Sequence, residues 1–166
     1  MIKILVTGGL GFIGSNFISR ILKTNCLVVN VDSKSYASID DFYLNFDSYS
    51  NYKFYNIDIN DFNKVNSIIS KYSFDKIFHF AAESHVDNSI DSSLIFCDTN
   101  VKGTVNLLES YKNLNKDDKL FFHISTDEVF GSIKKGKFNE SSSYKPNSPY
   151  SASKASSDHF VRAYFE

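Results

Sequence analysis

Only two cysteines, Cys26 and Cys97, occur in the 166 residues, and no second pair or His/Cys spacing of a zinc site accompanies them. A disulfide framework and a structural metal are therefore excluded, and both thiols are expected to be reduced, buried and inert in a reducing cytoplasm. Neither sign of charge is in surplus: 18 Lys and Arg stand against 19 Asp and Glu, a net charge of −1. Without a basic run, nothing recommends a nucleic-acid partner. Lys134, Lys135 and Lys137 cluster only in what reads as a solvated loop. No apolar stretch approaches the length that spans a bilayer, and a core strand begins within two residues of Met1, so neither a membrane segment nor a secretory signal is expected. With 42% hydrophobic residues, the length suits one domain with a proper core and is too short for two ordinary ones.

What the chain does have begins at once. Ile2, Ile4, Leu5 and Val6 run into Thr7-Gly8-Gly9-Leu10-Gly11-Phe12-Ile13-Gly14. A parallel strand covered on both faces reads as a nearly continuous aliphatic run. A glycine turn at its carboxyl end lets the backbone approach a pyrophosphate, and the following helix aims its free N–H groups and positive dipole end there. The spacing Gly8-x-x-Gly11-x-x-Gly14 is a variant of the dinucleotide fingerprint. Phe17, Ile18, Ile21 and Leu22 then recur at helical spacing to about Lys23.

A second aliphatic run, Leu27 to Val31, ends in Asp32. A carboxylate at the tip of the second strand, about 20 residues past the loop, is where such folds hold the adenosine ribose; it favours NAD over NADP. Ser33, Lys34 and Ser35 lie beside it. Residues 36 to 51 read as a surface excursion with one short helix. Tyr52 to Ile57 alternates like a strand and leads to Asp58 and Ile59, placed to meet an adenine or simply to make a turn and fill the core. Asp61 suits the cap of a helix whose Phe62, Val65, Ile68 and Ile69 share a face.

Lys76 to Phe80 is a fourth strand, opening into Ala81-Ala82-Glu83-Ser84-His85. Ligands bind where strand order reverses between the first and fourth strands. Small Ala81 and Ala82 would let a cofactor lie close, and Ser84 could reach substrate or phosphate. His79, inside an apolar run, reads as a satisfied core histidine. A long helix is expected from about Ser92 to Tyr111, with Leu94, Cys97, Val101, Thr104, Val105, Leu108 and Tyr111 on one face; Thr99 and Asn100 lie on another side, where an Asn usually faces water or its own turn, yet beside a cofactor crevice both could fix neighbouring loops. Leu120 to Ile124 forms a fifth strand that delivers Ser125-Thr126-Asp127-Glu128 to the carboxyl edge. The fold class expected is α/β, a doubly wound parallel sheet.

Two adjacent carboxyl groups in a cleft tend to titrate apart, so one of Asp127 and Glu128 could act as acid and the other as base. Pro149 suits the first turn of a helix on which Tyr150 and Lys154 share one face. A phenol near pKa ~10 is a poor base at neutral pH; an ammonium one turn away, with a cationic nicotinamide nearby, is expected to lower it.

Taken together these segments resemble the extended short-chain dehydrogenase/reductases, with their Rossmann fold. The general family shows in Thr7-Gly8-Gly9-x-Gly11-Phe12-Ile13-Gly14 and Tyr150-x-x-x-Lys154. Ala81 to Asp87, Thr99-Asn100-Val101-x-Gly103-Thr104, Ser125 to Val129 and Ser148 to His159 look specifically like the nucleotide-sugar 4,6-dehydratases of the dTDP-glucose type. The resemblance implies an NAD-dependent hydro-lyase that converts dTDP-glucose to its 4-keto-6-deoxy product. Tyr150, primed by Lys154, would take the proton of the sugar 4-hydroxyl, with Thr126 bonded to that oxygen. Glu128 would remove the C5 proton, and Asp127 would protonate the departing 6-hydroxyl. It also implies that Gly8, Gly11, Phe12, Ile13, Gly14, Asp32, Ser33, Lys34, Ser35, Asp58, Ile59, Phe80, Ala81, Ala82, Ser84, Thr99, Tyr150 and Lys154 line the cofactor. Ser84 and Thr126 would also face the substrate.

The family continues for a comparable length beyond Glu166, so residues 1 to 166 are expected to be the NAD-binding domain with its catalytic residues, lacking the C-terminal nucleotide-sugar lobe. Alternatives stay open on the sequence: a split form working with a second chain, a fragment without turnover, a UDP-glucose dehydratase, or an epimerase, which the Asp127-Glu128 pair argues against. A homodimer through the helices around Val101 and Tyr150 is a further implication.

Overall fold

Ile4 and Val6 point to one face of the first strand and Leu5 to the other, and all three are buried, so this strand needs cover on both sides. The computed structural model describes residues 1–39 and 44–166. They divide into two compact units, Met1–Ala81 with Asn106–Ile124 and Ala82–Val105 with Ser125–Glu166.

The first unit is built on five parallel strands, β1 (Ile2–Thr7), β2 (Cys26–Asp32), β3 (Tyr52–Asn56), β4 (Lys76–His79) and β5 (Leu120–His123), in the order β3-β2-β1-β4-β5. This is the doubly wound sheet that the sequence predicts, with β1 between β2 and β4 at the reversal. Helix α1 (Phe12–Ile21) covers the face that carries Ile4, Val6 and Val28: Ile18 and Leu22 join them in a core with Phe46 and Tyr52, and the Phe17 ring lies 4.5 Å from Phe78. Each such side chain contributes about 1.5–3 kcal/mol when fully buried.

The opposite face meets α2 (Phe62–Tyr72), whose Tyr72 hydroxyl is 2.7 Å from that of Tyr55, and the end of α5 (Gly103–Lys112), where Tyr111 packs edge-on against Phe121. Asp61 caps α2 as expected, accepting from the Lys64 N–H at 3.1 Å. Leu120 and Phe122 stay 41% and 46% exposed because β5 is an edge strand. Of the excursion expected over residues 36 to 51, residues 40–43 lie outside those described; the rest includes a 3-10 turn at Phe46–Ser48.

The second unit departs from expectation in its first half. The sequence predicts one helix from Ser92 to Tyr111, but the chain forms α3 (Val86–Asp91), breaks at Ser92, resumes as α4 (Ser93–Phe96), widens into a π-helical stretch (Cys97–Lys102) and only then enters α5. The wider turn resets the helical phase. Leu94 is therefore 77% exposed and Cys97 exposed, against the expectation that both are buried, while Phe96 and Asn100 turn inward at 2% and 1%. From Thr104 onward, Thr104, Leu108 and Tyr111 of the predicted face are buried, with Leu107 added, and Val105 is half-buried. Helix α6 (Pro149–Phe165) starts at a capping box in which the Ser148 hydroxyl accepts from the Ser151 N–H at 3.0 Å.

Candidate active site

The glycine loop of the first unit is shaped by close backbone approach. Gly8 sits at φ +70°, and a Cβ there would fall 2.5 Å from the Ala81 nitrogen; at Gly14 it would fall 2.2 Å from the Gly8 carbonyl oxygen. Gly11 differs, since a Cβ would meet nothing nearer than that same oxygen at 3.4 Å, so its outer side is open. Gly11 gives α1 no side-chain cap, which leaves the first-turn N–H groups beside exposed Phe12 and Ile13 for an anion. An open glycine edge and uncapped helix donors fit a dinucleotide pyrophosphate.

Two buried side chains of β2 hold this loop from behind. Asn30 accepts from the Gly9 N–H at 3.1 Å and donates to the Tyr52 hydroxyl at 2.9 Å. Asp32 accepts from the Leu10 N–H at 2.9 Å through one oxygen, and from the Lys34 N–H at 2.8 Å and the Ser38 hydroxyl at 3.1 Å through the other. The carboxylate expected to serve a ribose is thus already engaged by its own loop. Ser33, Lys34 and Ser35 are exposed, with Lys34 at φ +55° and its ammonium 4.9 Å from the Phe54 ring centroid. Asp58 is exposed and accepts from the Asn60 N–H at 2.8 Å, whereas Ile59 is buried. Phe80 packs 5.3 Å from Phe17. His79 is the satisfied core residue the sequence predicts, 2.7 Å from the Thr7 hydroxyl.

The second unit gathers the residues expected to handle protons. Tyr150 is buried, its ring edge-on to Phe96, and the Thr126 side chain acts on its hydroxyl. Burial pushes its phenol above the ordinary value, Thr126 pulls it back, and the carboxylates of Glu128, Asp127 and Asp158 push it up again. This reverses the lowered pKa expected from the sequence, because the acids around the phenol and its desolvation both disfavour a phenolate. Lys154 is 5% exposed, and burial brings its ammonium down to about 8, against an upward pull from Asp158.

Thr126 also caps the 3-10 turn Asp127–Phe130, accepting from the Glu128 N–H at 3.3 Å. On that turn Asp127 is exposed and Glu128 half-buried. Asn100, off the apolar face of its helix, lies inside and fixes a neighbouring loop, one of the two uses the sequence leaves open: it accepts from the Glu83 N–H at 2.8 Å, donates to the Glu83 carbonyl at 2.9 Å and donates to the Ser153 hydroxyl at 2.9 Å. The Ser153 hydroxyl in turn donates to the Tyr150 carbonyl at 2.7 Å. Ala82 and Ser84 are exposed and Thr99 is half-buried in the same unit.

Two residues escaped sequence reasoning. Asn30 carries no sequence signal apart from being a polar residue in a buried strand. Asp158 stands four residues beyond Lys154, a helical spacing that marks it as a neighbour of the lysine. Among the described residues, no group of three or more His, Cys, Asp or Glu is arranged to hold a metal ion, and no helix is long and apolar enough to cross a membrane.

The profile of the family described as GDP-mannose 4,6 dehydratase matches residues 5–166. The dTDP-glucose 4,6-dehydratase of Haemophilus influenzae is 45% identical over 99% of this chain and 52% of its own length. Among solved structures, the dTDP-glucose 4,6-dehydratase of Streptomyces venezuelae, solved with NAD bound, superposes with a TM-score of 0.90 at 41% identity, over 98% of this chain and 51% of its own. A UDP-Glc/GlcNAc 4-epimerase of Campylobacter jejuni gives 0.91 at 29% identity, over 99% of this chain and 49% of its own. The chain spans about half the length of the curated relatives it matches.

Proposed function

The chain belongs to the GDP-mannose 4,6 dehydratase family, and from that membership we propose that it is the NAD-binding and proton-handling part of a nucleotide-sugar 4,6-dehydratase acting on dTDP-glucose. The observation that carries the proposal is the grouping of Thr126, Asp127 and Glu128 with Tyr150 and Lys154: Tyr150 and Lys154 are buried one turn apart on one helix, and Thr126, Glu128 and Asp127 all act on the phenol. An epimerase needs a base at the 4-hydroxyl but no adjacent acid pair to expel water, so this grouping favours elimination.

NAD, when bound, supplies the hydride acceptor for C4 and the hydride donor for C6. The glycine loop and the first turn of α1 would hold its pyrophosphate. A ribose hydroxyl would take the place of the Ser38 hydroxyl on Asp32, beside Ser33, Lys34 and Ser35. Asp58 and Ile59 would meet the adenine, and Phe80, Ala81, Ala82, Ser84 and Thr99 the rest of the cofactor. Tyr150 would take the proton of the 4-hydroxyl while Thr126 holds the oxygen and Lys154 supports the phenolate. Oxidation at C4 acidifies the C5 proton, which Glu128 removes as base. Asp127 protonates the 6-hydroxyl as it leaves. The proton taken from C5 is replaced there by Glu128 when C6 receives hydride, and the proton that Tyr150 took from the 4-hydroxyl makes good, through solvent, the one Asp127 gave to the departing water, so the enzyme ends unchanged.

The same reading carries a homodimer through α4, the π-helical stretch and α6, where Leu94, Phe160 and Phe165 are exposed apolar side chains. It also carries a cytoplasmic location and a nucleoside-diphosphate grip supplied by further polypeptide. The test incubates the chain with NAD and dTDP-glucose, alone and with the C-terminal half of a relative added as a second polypeptide, and assays the 4-keto product in alkali. Product in either arm supports the proposal; its absence in both, with folded polypeptides and a working relative as control, contradicts it. UDP-glucose in place of dTDP-glucose should give less.

A further inference from the structure

Asp158 lies at the junction of everything that handles protons in the second unit. One of its carboxylate oxygens accepts from the Ser125 hydroxyl at 2.5 Å and from the Tyr144 hydroxyl at 2.9 Å. Ser125 is the residue immediately before Thr126, so the first of these bonds ties the start of the acid-bearing turn to α6. Tyr144 comes from the loop that precedes α6; its ring packs at 5.3 Å on Phe130, the last residue of the same turn, and at 5.2 Å on His159. The carboxylate thus holds the start of the acid-bearing turn directly and its end through the Tyr144 ring. On α6 itself, Asp158 follows Lys154 by one helical turn and stands two turns beyond Tyr150, on one face.

We propose that Asp158 is a positioning residue: its negative charge keeps buried Lys154 in the ammonium form, and its hydrogen bonds to Ser125 and Tyr144 hold the Thr126–Asp127–Glu128 turn against the helix that carries Tyr150. The charge is required because Lys154 pays heavily for burial. At 5% exposure an ammonium with no opposite charge near it gives up its proton. The groups that act on the pair are few and named. Asp158 acts on both Lys154 and Tyr150, Asp127 and Glu128 act on Tyr150 from the turn, and Tyr144 is pushed up to about 12 by burial and by Asp158 itself. A neutral phenol at Tyr144 remains a donor throughout the working range, so the bond to Asp158 survives any ordinary pH.

This inference deepens the proposed function by naming what sets the state of its lysine, yet its test needs neither cofactor nor substrate. The side-chain Cε resonances of the lysines are followed by NMR against pH, and Lys154 is assigned by its loss in K154M. The unaltered chain should titrate at this position near 8. In D158N, which keeps an oxygen for Ser125 and Tyr144 but loses the charge, the midpoint should fall by about one pH unit, the order expected when one opposite charge is lost. D158E should restore it, and S125A, which removes the bond but keeps the charge, should leave it in place. An unchanged midpoint in D158N, or equal shifts in D158N and S125A, would overturn the proposal. Failure here leaves the dehydratase reading standing, and failure of turnover leaves this result standing.

Discussion

Asn100 binds both backbone polar groups of Glu83, accepting from the N–H at 2.8 Å and donating to the carbonyl at 2.9 Å. A side chain that mimics a neighbouring strand in this way substitutes for secondary structure in the loop that carries Ser84. It can do so because the π-helical stretch turns it inward. In N100A both groups of Glu83 lose their partner, at a cost of about 2 kcal/mol. The Glu83 amide should then exchange with deuterium markedly faster than in the unaltered chain, while amides of β1 keep their protection.

Two glycines of the loop, Gly14 and Gly11, should separate fold from ligand. G14A forces a methyl to within 2.2 Å of the Gly8 oxygen, a clash expected to cost about 1–3 kcal/mol of stability as well as dinucleotide binding. G11A meets only ordinary contact at 3.4 Å, so its unfolding midpoint should not move. NAD affinity, measured by calorimetry, should nevertheless drop, because the new methyl stands where the pyrophosphate would lie.

Tyr150 holds its proton above the ordinary phenol value of 10.0, with burial the largest cause. Any step that needs the phenolate therefore gains from rising pH. Removing the Thr126 hydroxyl in T126V should move the midpoint higher still, since that hydroxyl favours the charged form. E128Q should move it lower, since a negative charge has gone. The alkaline absorbance titration of each variant, less that of its Y150F counterpart, reads these shifts.

Asp75 joins β1 to β5. It accepts from the Lys3 N–H at 2.7 Å, its own N–H donates to the Lys3 carbonyl at 2.9 Å, and its carbonyl accepts from Leu120 at 3.0 Å. Lys116, bonded to the carboxylate, together with the Lys3 N–H, holds it below the usual 3.8. A carboxyl depressed in the folded state contributes stability that is present above its unfolded value and is lost as pH falls through the folded one. The pair is partly exposed, so D75N should cost only about 1 kcal/mol at neutral pH. The difference in thermal unfolding between the two proteins should close as the pH is lowered below 3.8.

The sheet was legible because each buried strand is a short aliphatic or aromatic run that ends in a turn, and a period of two leaves little choice of face. Asp61 and Ser148 announced their helices by chemistry that acts within four residues. The helix from Ser93 to Lys112 was misread for a physical reason: a period of 3.6 extrapolated through Cys97–Lys102 selects Leu94 and Cys97, and nothing in those residue types signals a wider turn. Tyr150 was misjudged because sequence spacing reveals the neighbouring lysine but not the desolvation of the phenol or the carboxylates brought to it from a distant turn. Asn30, and the loop-holding bonds of the already expected Asp32, were hidden in another way, since their partners are loop N–H groups that only the folded chain brings within reach.

The central claim is that Glu128 takes a proton from C5 of a nucleotide-bound hexose during loss of water. Turnover of dTDP-glucose in deuterated solvent, by the chain with NAD and with the complementing half when it is needed, tests this directly by mass spectrometry and NMR of the sugar. The expected result is a 4-keto-6-deoxy product carrying one solvent deuterium at C5, abolished in E128Q while NAD binding persists. A hexose inverted at C4 with its C5 hydrogen and 6-hydroxyl intact, or undiminished product from E128Q, would contradict it.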